Sequence, residues 1–171
     1  MTEHLFILSH DIILSQYKNS NWRNDFIMKR SLALAAVLAL VFASAAFAYD
    51  FGAFTMDVAD GWTPSVDGPT AVVAKNDNTA SLSVTIMPAE GTSAKDFATA
   101  FVEEFKKSFT SVSAPSEDTD GSYMWEMTNA NGVKSTAALA VEDGNCKLVV
   151  MTGLEAAGDD IVKMLGTIKE K

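Results

Sequence analysis

Two aspartates that precede a glycine, in the stretch SEDTDGSYMWEM, have the spacing closest to a metal-binding motif. Asp118, Asp120 and Gly121 take the third, fifth and sixth places of a calcium loop of the form D-x-D/N-x-D/N-G-x5-E. The rest of the motif fails, because its first place is Ser116 and its twelfth is Met127. We therefore predict a solvated acidic turn, with Asp118 and Asp120 as a weak calcium candidate, and no cofactor.

Two other features could support catalysis. Asp57 and Asp60 are near-neighbour carboxylates, and hydrolases use such groups in pairs. Acids at this spacing on turns are usually only solvated, so we assign them no role. Cys146 is the only cysteine, and Lys147 beside it could lower the thiol pKa. With no second thiol to complete a mechanism, we interpret Cys146 as a small residue at the start of a strand.

A segment with the features of a secretory signal peptide occupies residues 28–48. Lys29 and Arg30 form a positive head, residues 32–42 form an apolar run, and Ala46 and Ala48 give the small-x-small pattern of a cleavage site. We predict cleavage between Ala48 and Tyr49, and a periplasmic or secreted protein without stable membrane insertion. A membrane-spanning helix is the alternative, because residues 31–48 are uncharged, but the apolar core is short and no positive cluster follows it.

Removal of this segment changes the chemistry available to the chain. Residues 1–27 carry no recognisable address, and we interpret them as an over-extended start or a disordered leader. Residues 49–171 are then one domain by length, and they contain no histidine and no arginine. They keep 19 of the 22 acidic residues and 9 of the 13 basic ones, which is a formal net charge of −10. This composition argues against His-dependent hydrolysis, tight transition-metal binding and nucleic-acid binding.

The periodicity of the remaining chain predicts an α+β domain. Leu82, Val84 and Ile86 alternate with hydroxyl residues, which is typical of a strand with one apolar face. The predicted strands are 54–58, 62–66, 71–75, 81–87, 122–129, 133–142 and 147–153. They give an antiparallel sheet of about six to seven strands, covered by two amphipathic helices at about 93–109 and 159–169.

The first predicted helix carries a row of four phenylalanines. Ser93 with Asp96 approximates a capping box, and phenylalanine then recurs at every fourth position, at Phe97, Phe101, Phe105 and Phe109. Such a row could line a ligand groove or a membrane-binding face. The opposite helix face has mixed charge, which suits anionic lipid poorly, so we predict that the rings pack on the sheet. Replacing Phe101 by alanine would cost about 3 to 5 kcal/mol if its ring lies in a well-packed core.

The order of motifs resembles the PsbP-like and DcrB-like group of small extracytoplasmic domains. The resemblance rests on an early DGW turn, a helix opened by GTSAKDF, a meander containing DGSYMWEM and a last helix ending IVKMLGTIKEK. It covers most of residues 49–171 and rests on turn and core residues such as Gly61, Trp62 and Ile168. It implies a sheet flanked by helices and an accessory or binding role without established catalysis. It transfers no site residue.

Two functional hypotheses follow. The first is an exported binding or accessory module, without catalytic apparatus, that uses a sheet face or the edge of a helix layer to meet a protein, a lipid-like molecule or a small ligand. The second is a small extracytoplasmic enzyme that depends on carboxylates or a bound metal. A deep polar pocket with two buried carboxylates would favour the enzyme. A bare sheet face or a shallow apolar groove would favour the binding module, which is our prediction.

Overall fold

The computed structural model describes residues 48–171, so residues 1–27 and nearly all of the predicted signal peptide lie outside the described part. The elements in chain order are β1 Ala48–Asp50, β2 Phe54–Asp57, β3 Trp62–Asp67, β4 Thr70–Lys75, β5 Ser81–Pro88, α1 Ala94–Phe105, β6 Ser111–Val112, β7 Ser116–Glu117, β8 Tyr123–Thr128, β9 Lys134–Glu142, β10 Asn145–Thr152, α2 Leu154–Leu165 and β11 Lys169–Glu170.

The strands form a large sheet and a small one. The large sheet has eight strands in the order β3-β4-β5-β10-β9-β8-β6, with β7 also paired to β8, and the small sheet has the order β1-β2-β11. All pairings within them are antiparallel. The predicted α+β fold, an antiparallel sheet covered by two helices, is confirmed, and each predicted strand matches an observed one to within about two residues.

The two helices lie on opposite faces of the large sheet. Successive side chains of a strand point to opposite faces, and β10 divides accordingly. Cys146, Leu148 and Val150 belong to the apolar cluster under α1, whereas Val149 and Met151 belong to the cluster under α2. The cluster under α2 also takes in residues of β2 to β5, and the cluster under α1 takes in residues of β8 and β9. The molecule therefore has three layers.

Helix α1 begins as its sequence predicts. Ser93 is the N-cap: its hydroxyl accepts from the Asp96 backbone N–H at 3.2 Å and donates to the Asp96 carboxylate at 2.7 Å. This is the capping-box interaction with aspartate as the acid. The residues most deeply buried in this helix are Ala98 and Val102. The phenylalanines are only half-buried, so they pack beside the helix–sheet contact rather than at its centre.

Helix α2 begins five residues earlier than predicted and ends four residues earlier. Gly153 caps its start with a left-handed backbone, and a non-helical residue, Ala157, divides the helix. Asp159 and Asp160, which lie at the start of the predicted helix, therefore lie at the start of its second segment instead. At the end, the Thr167 hydroxyl donates to the Met164 carbonyl and accepts from the Asp57 N–H of β2. The chain then pairs as β11 with β2.

Strands of two or three residues account for the elements missing from the sequence prediction. β1, β6, β7 and β11 are too short for an alternating pattern to be recognised, and each exists through pairing with a longer strand. Neither α1 nor α2 has the length and apolarity needed to cross a bilayer.

Candidate functional site

The acidic turn lies between two strands, β7 and β8, rather than between two helices. The Asp118 carboxylate accepts from the Thr119 N–H at 2.6 Å, and the Asp120 carboxylate accepts from the Ser122 N–H at 2.9 Å. Each aspartate thus uses an oxygen to hold its own turn. Among residues 48–171, no group of three or more carboxylate, thiol or imidazole side chains is placed to hold a metal ion.

The other catalytic candidates are dispersed. Asp57 ends β2 and is half-buried, whereas Asp60 is exposed in the following turn. Cys146 is fully buried in β10, on the face covered by α1. Burial raises the pKa of its thiol from the ordinary value of 9.0 to about 11, so the group is a neutral thiol at physiological pH. It is a core residue rather than a nucleophile.

A partly buried ion pair on the face covered by α2 was not predicted from the sequence. Lys147 contacts the carboxylates of Glu170 at 2.5 Å and Glu142 at 4.0 Å, and its side chain is only 8% exposed. Burial raises the pKa of Glu142, although the charge of Lys147 acts in the opposite direction. Because Glu170 belongs to β11, this pair links the small sheet to the large one. Its observable role is structural.

One half of the large sheet carries hydroxyl groups on the face that bears α1. The register pairs Ser65 with Val72 and Val72 with Ser83, so these residues share that face. We call the set the hydroxyl face: Thr63, Ser65, Thr70, Ser81, Ser83 and Thr85. Thr70 and Thr85 share a hydrogen bond of 2.8 Å across β4 and β5. Helix α1 contacts β8 and β9 at the other half of the sheet, and Thr63 and Ser65 are exposed.

Four phenylalanines form a continuous row, which we call the phenylalanine ridge. Three of them lie in α1 and the fourth, Phe109, follows it. The ring centroids of Phe97, Phe101, Phe105 and Phe109 are 6.2, 6.3 and 5.8 Å apart in turn. All four rings are half-buried. A half-exposed row of aromatic rings is a surface that can still bury apolar area on binding.

The ridge borders the hydroxyl face. β5 and β6 run parallel and α1 connects them, and such connections are right-handed in about 98% of cases. For a right-handed connection, with Ala98 and Val102 facing the sheet and about 100° per residue, we expect Phe97 and Phe101 on the flank of α1 that is directed toward β10 and β5. The packing of Met87 and Val150, from those two strands, against the cluster under α1 agrees with this placement.

Beneath the ridge lies a buried hydrogen-bond donor without an acceptor among the described residues. The Trp125 side chain, in β8, is 2% exposed, and its indole Nε1–H has no hydrogen-bond partner. Its ring lies 6.2 Å from the ring of Phe105. Trp62, also buried, donates its Nε1–H to the Asp160 carboxylate at 3.2 Å. The sequence predicted Trp62 as a core residue. Alternation in the predicted strand places Trp125 on one face with Tyr123 and Met127, but it does not indicate a donor without an acceptor.

Of the comparisons made with known proteins, the one with solved structures found similar chains. No protein-family model and no curated protein matches the chain. The solution structure of cyanobacterial PsbP (CyanoP) from Synechocystis sp. PCC 6803 matches over 73% of this chain and 91% of its own, with 12% identity and a TM-score of 0.48. A crystal structure from Bacteroides thetaiotaomicron VPI-5482 matches over 73% of this chain and 47% of its own, with 14% identity and a TM-score of 0.41. The resemblance of this chain to cyanobacterial PsbP is one of fold.

Proposed function

We propose that the protein is an exported binding or accessory module that meets its ligand or partner on the hydroxyl face beside the phenylalanine ridge. The observation that carries the proposal is the uneven covering of one sheet face. Helix α1 contacts β8 and β9. On β3 to β5 the hydroxyl residues Thr63 and Ser65 are exposed, Thr70, Ser81 and Ser83 are half-buried and Thr85 is buried, next to half-buried aromatic rings. A sheet face without a covering helix, next to apolar surface, favours a binding module over an enzyme.

Export is part of this proposal and depends on the signal-peptide pattern. Cleavage after Ala48 would leave Tyr49 and Asp50 of β1 paired with Met56 and Thr55 of β2. All three residues of β1 are exposed, so loss of Ala48 removes little packing. The cleavage site is therefore compatible with the fold.

The enzyme alternative has weaker support. The carboxylates of the acidic turn are engaged by backbone N–H groups, and the one thiol is buried with a raised pKa. The half-buried carboxylates of Glu142 and Glu170 pair with the buried Lys147, and the contact with Glu170 links the small sheet to the large one. No observation assigns any of these groups a substrate.

The experiment compares two lysine substitutions on opposite faces of the large sheet. Ser83→Lys places a charge at the centre of the hydroxyl face, and Thr136→Lys places the same charge on the opposite face of β9. Both positions are half-buried in central strands. Each variant is isolated from its native envelope and compared with the unaltered protein for co-isolated molecules and for melting temperature. We expect Ser83→Lys alone to lose the co-isolated molecule. Equal retention by both variants would refute the assignment of the face.

A further inference from the structure

The unpartnered indole N–H of Trp125 requires an explanation. Burial of a donor without an acceptor carries the full desolvation cost of that group, and such groups are rare in folded proteins. Trp125 is 2% exposed and its Nε1 has no partner among the described residues. Trp62, at 6% exposed, shows the usual arrangement, with Asp160 as acceptor. An acceptor supplied from outside the chain would remove the cost at Trp125.

The surroundings of Trp125 indicate what kind of molecule could supply that acceptor. Helix α1 rests on the sheet through Ala98 and Val102, at 0% and 3% exposed, while the larger Phe101 and Phe105 are half-buried. The Phe105 ring contacts the Trp125 ring. A molecule bound against these rings would contact Phe101 and Phe105, and it would reach the Trp125 indole, which contacts the Phe105 ring, only by passing between them. Its body must therefore be apolar and must carry a hydrogen-bond acceptor.

The net charge of the domain further limits the class of molecule that could bind at this site. The domain from Tyr49 onward has a formal net charge of −10, which disfavours an anionic ligand. The two lysines directly after this helix, Lys106 and Lys107, are ion-paired with Glu103 and Glu104. A neutral carbonyl compound, such as an ester or amide, fits the site better than a carboxylate.

We propose that a site formed by Phe101 and Phe105 of α1 and Trp125 of β8 binds an uncharged molecule with an apolar chain and a carbonyl group. The carbonyl oxygen accepts a hydrogen bond from Trp125 Nε1. The inference rests on the proposed function and deepens it, since it names the ligand class and the group that recognises it. The rings bury the apolar chain, and the indole N–H fixes the position of the carbonyl.

The test is a titration of the ¹⁵N-labelled protein, as isolated, with N,N-dimethyldecanamide, which is neutral and can only accept hydrogen bonds. Indole N–H signals are few, and those of Trp62 and Trp125 are assigned from the variants Trp62→Phe and Trp125→Phe. We expect the Trp125 signal to move downfield and to saturate, while the Trp62 signal stays in place because its N–H already bonds to Asp160. Decanoate should bind more weakly than the amide.

The variants separate the hydrogen bond from general apolar binding. Trp125→Phe keeps an aromatic ring but removes the donor, and should weaken binding of the amide about tenfold. Trp62→Phe, in the cluster under α2, should bind it as the unaltered protein does. An unmoved Trp125 signal in the unaltered protein at saturating amide would overturn the inference, as would binding at the Trp62 side. If Ser83→Lys loses its co-isolated molecule while the amide fails to bind, the proposed function stands and this inference falls.

Discussion

Gly153 shows how one residue can fix the junction between a strand and a helix. Its φ of +74° lies in the left-handed region, and a Cβ added there would lie 2.9 Å from the Ala80 Cα and would collide with the Thr79 carbonyl oxygen. Gly153→Ala should therefore lower the free energy of unfolding by about 2 to 4 kcal/mol, measured by urea denaturation. The matched control is Gly166→Ala, where φ is −66° and the nearest atom would lie at 3.5 Å. A neutral or slightly stabilising effect is expected there, and equal losses at both positions would contradict this account.

The raised pKa of Cys146 leads to a prediction about the pH dependence of stability and of thiol reactivity. Burial raises its thiol pKa from 9.0 to about 11, so the folded protein favours the protonated form. Because the folded state holds the Cys146 proton more tightly than the unfolded state, protonation of this thiol stabilises the fold. The contribution is fully present below about pH 9 and is lost as the pH rises from about 9 to about 11. At pH 8 we expect native Cys146 to react with a thiol reagent at least about a hundredfold more slowly than in the denatured chain. Comparable rates would mean that the thiol is accessible and ionised.

At the scale of elements, the sequence predicted seven strands and the start of α1 well, because alternation and capping are local patterns. The prediction missed or misplaced the elements whose position depends on tertiary contacts. The two-residue strand β11 forms because β2 offers it a partner, and α2 starts at a left-handed glycine without a side-chain cap. The phenylalanine repeat predicted an amphipathic helix correctly, but periodicity alone does not show that Ala98 and Val102 occupy the centre of its contact.

The half-buried position of the phenylalanine ridge changes the expected cost of losing a ring. A well-packed ring at Phe101 would contribute about 3 to 5 kcal/mol, but this ring retains part of its exposure in the fold. We therefore expect Phe101→Ala to lower the free energy of unfolding by about 2 kcal/mol, measured by denaturant titration. A loss above about 4 kcal/mol would place the ring in the core and would weaken its assignment to a binding surface.

The small sheet depends on a partly buried ion pair. Lys147 and Glu170 are 8% and 20% exposed and lie 2.5 Å apart, so removing one charge leaves the other poorly solvated. Glu170→Gln should lower the free energy of unfolding by about 1 to 2 kcal/mol, since Glu142 also contacts Lys147. Glu103→Gln is the control, because its pair with Lys106 is at least half-exposed and is expected to contribute less than about 0.5 kcal/mol. Equal melting temperatures for both variants would show that β11 does not need the pair.

At the scale of the whole molecule, the helices divide the sheet between them. Helix α2 and the small sheet cover β3 to β5 on one face, while α1 covers β8 and β9 on the other. Each helix therefore covers a different half of the sheet, on opposite faces, and no helix covers the hydroxyl face beside the phenylalanine ridge in the described part of the chain. The sequence indicated both components separately, through the alternation in β5 and the repeat in α1. Their proximity depends on the strand order and on the hand of the β5–α1–β6 connection, which local patterns do not specify.

The mass of the protein isolated from its native envelope tests both the predicted export and the proposed binding role. Under denaturing conditions we expect the mass of a chain that begins at Tyr49. Under non-denaturing conditions we expect a larger mass, from a bound molecule or partner that is lost in Ser83→Lys and kept in Thr136→Lys. A denatured mass that includes residues 28–48, together with a native mass equal to that of the bare chain, would contradict both the export and the binding role.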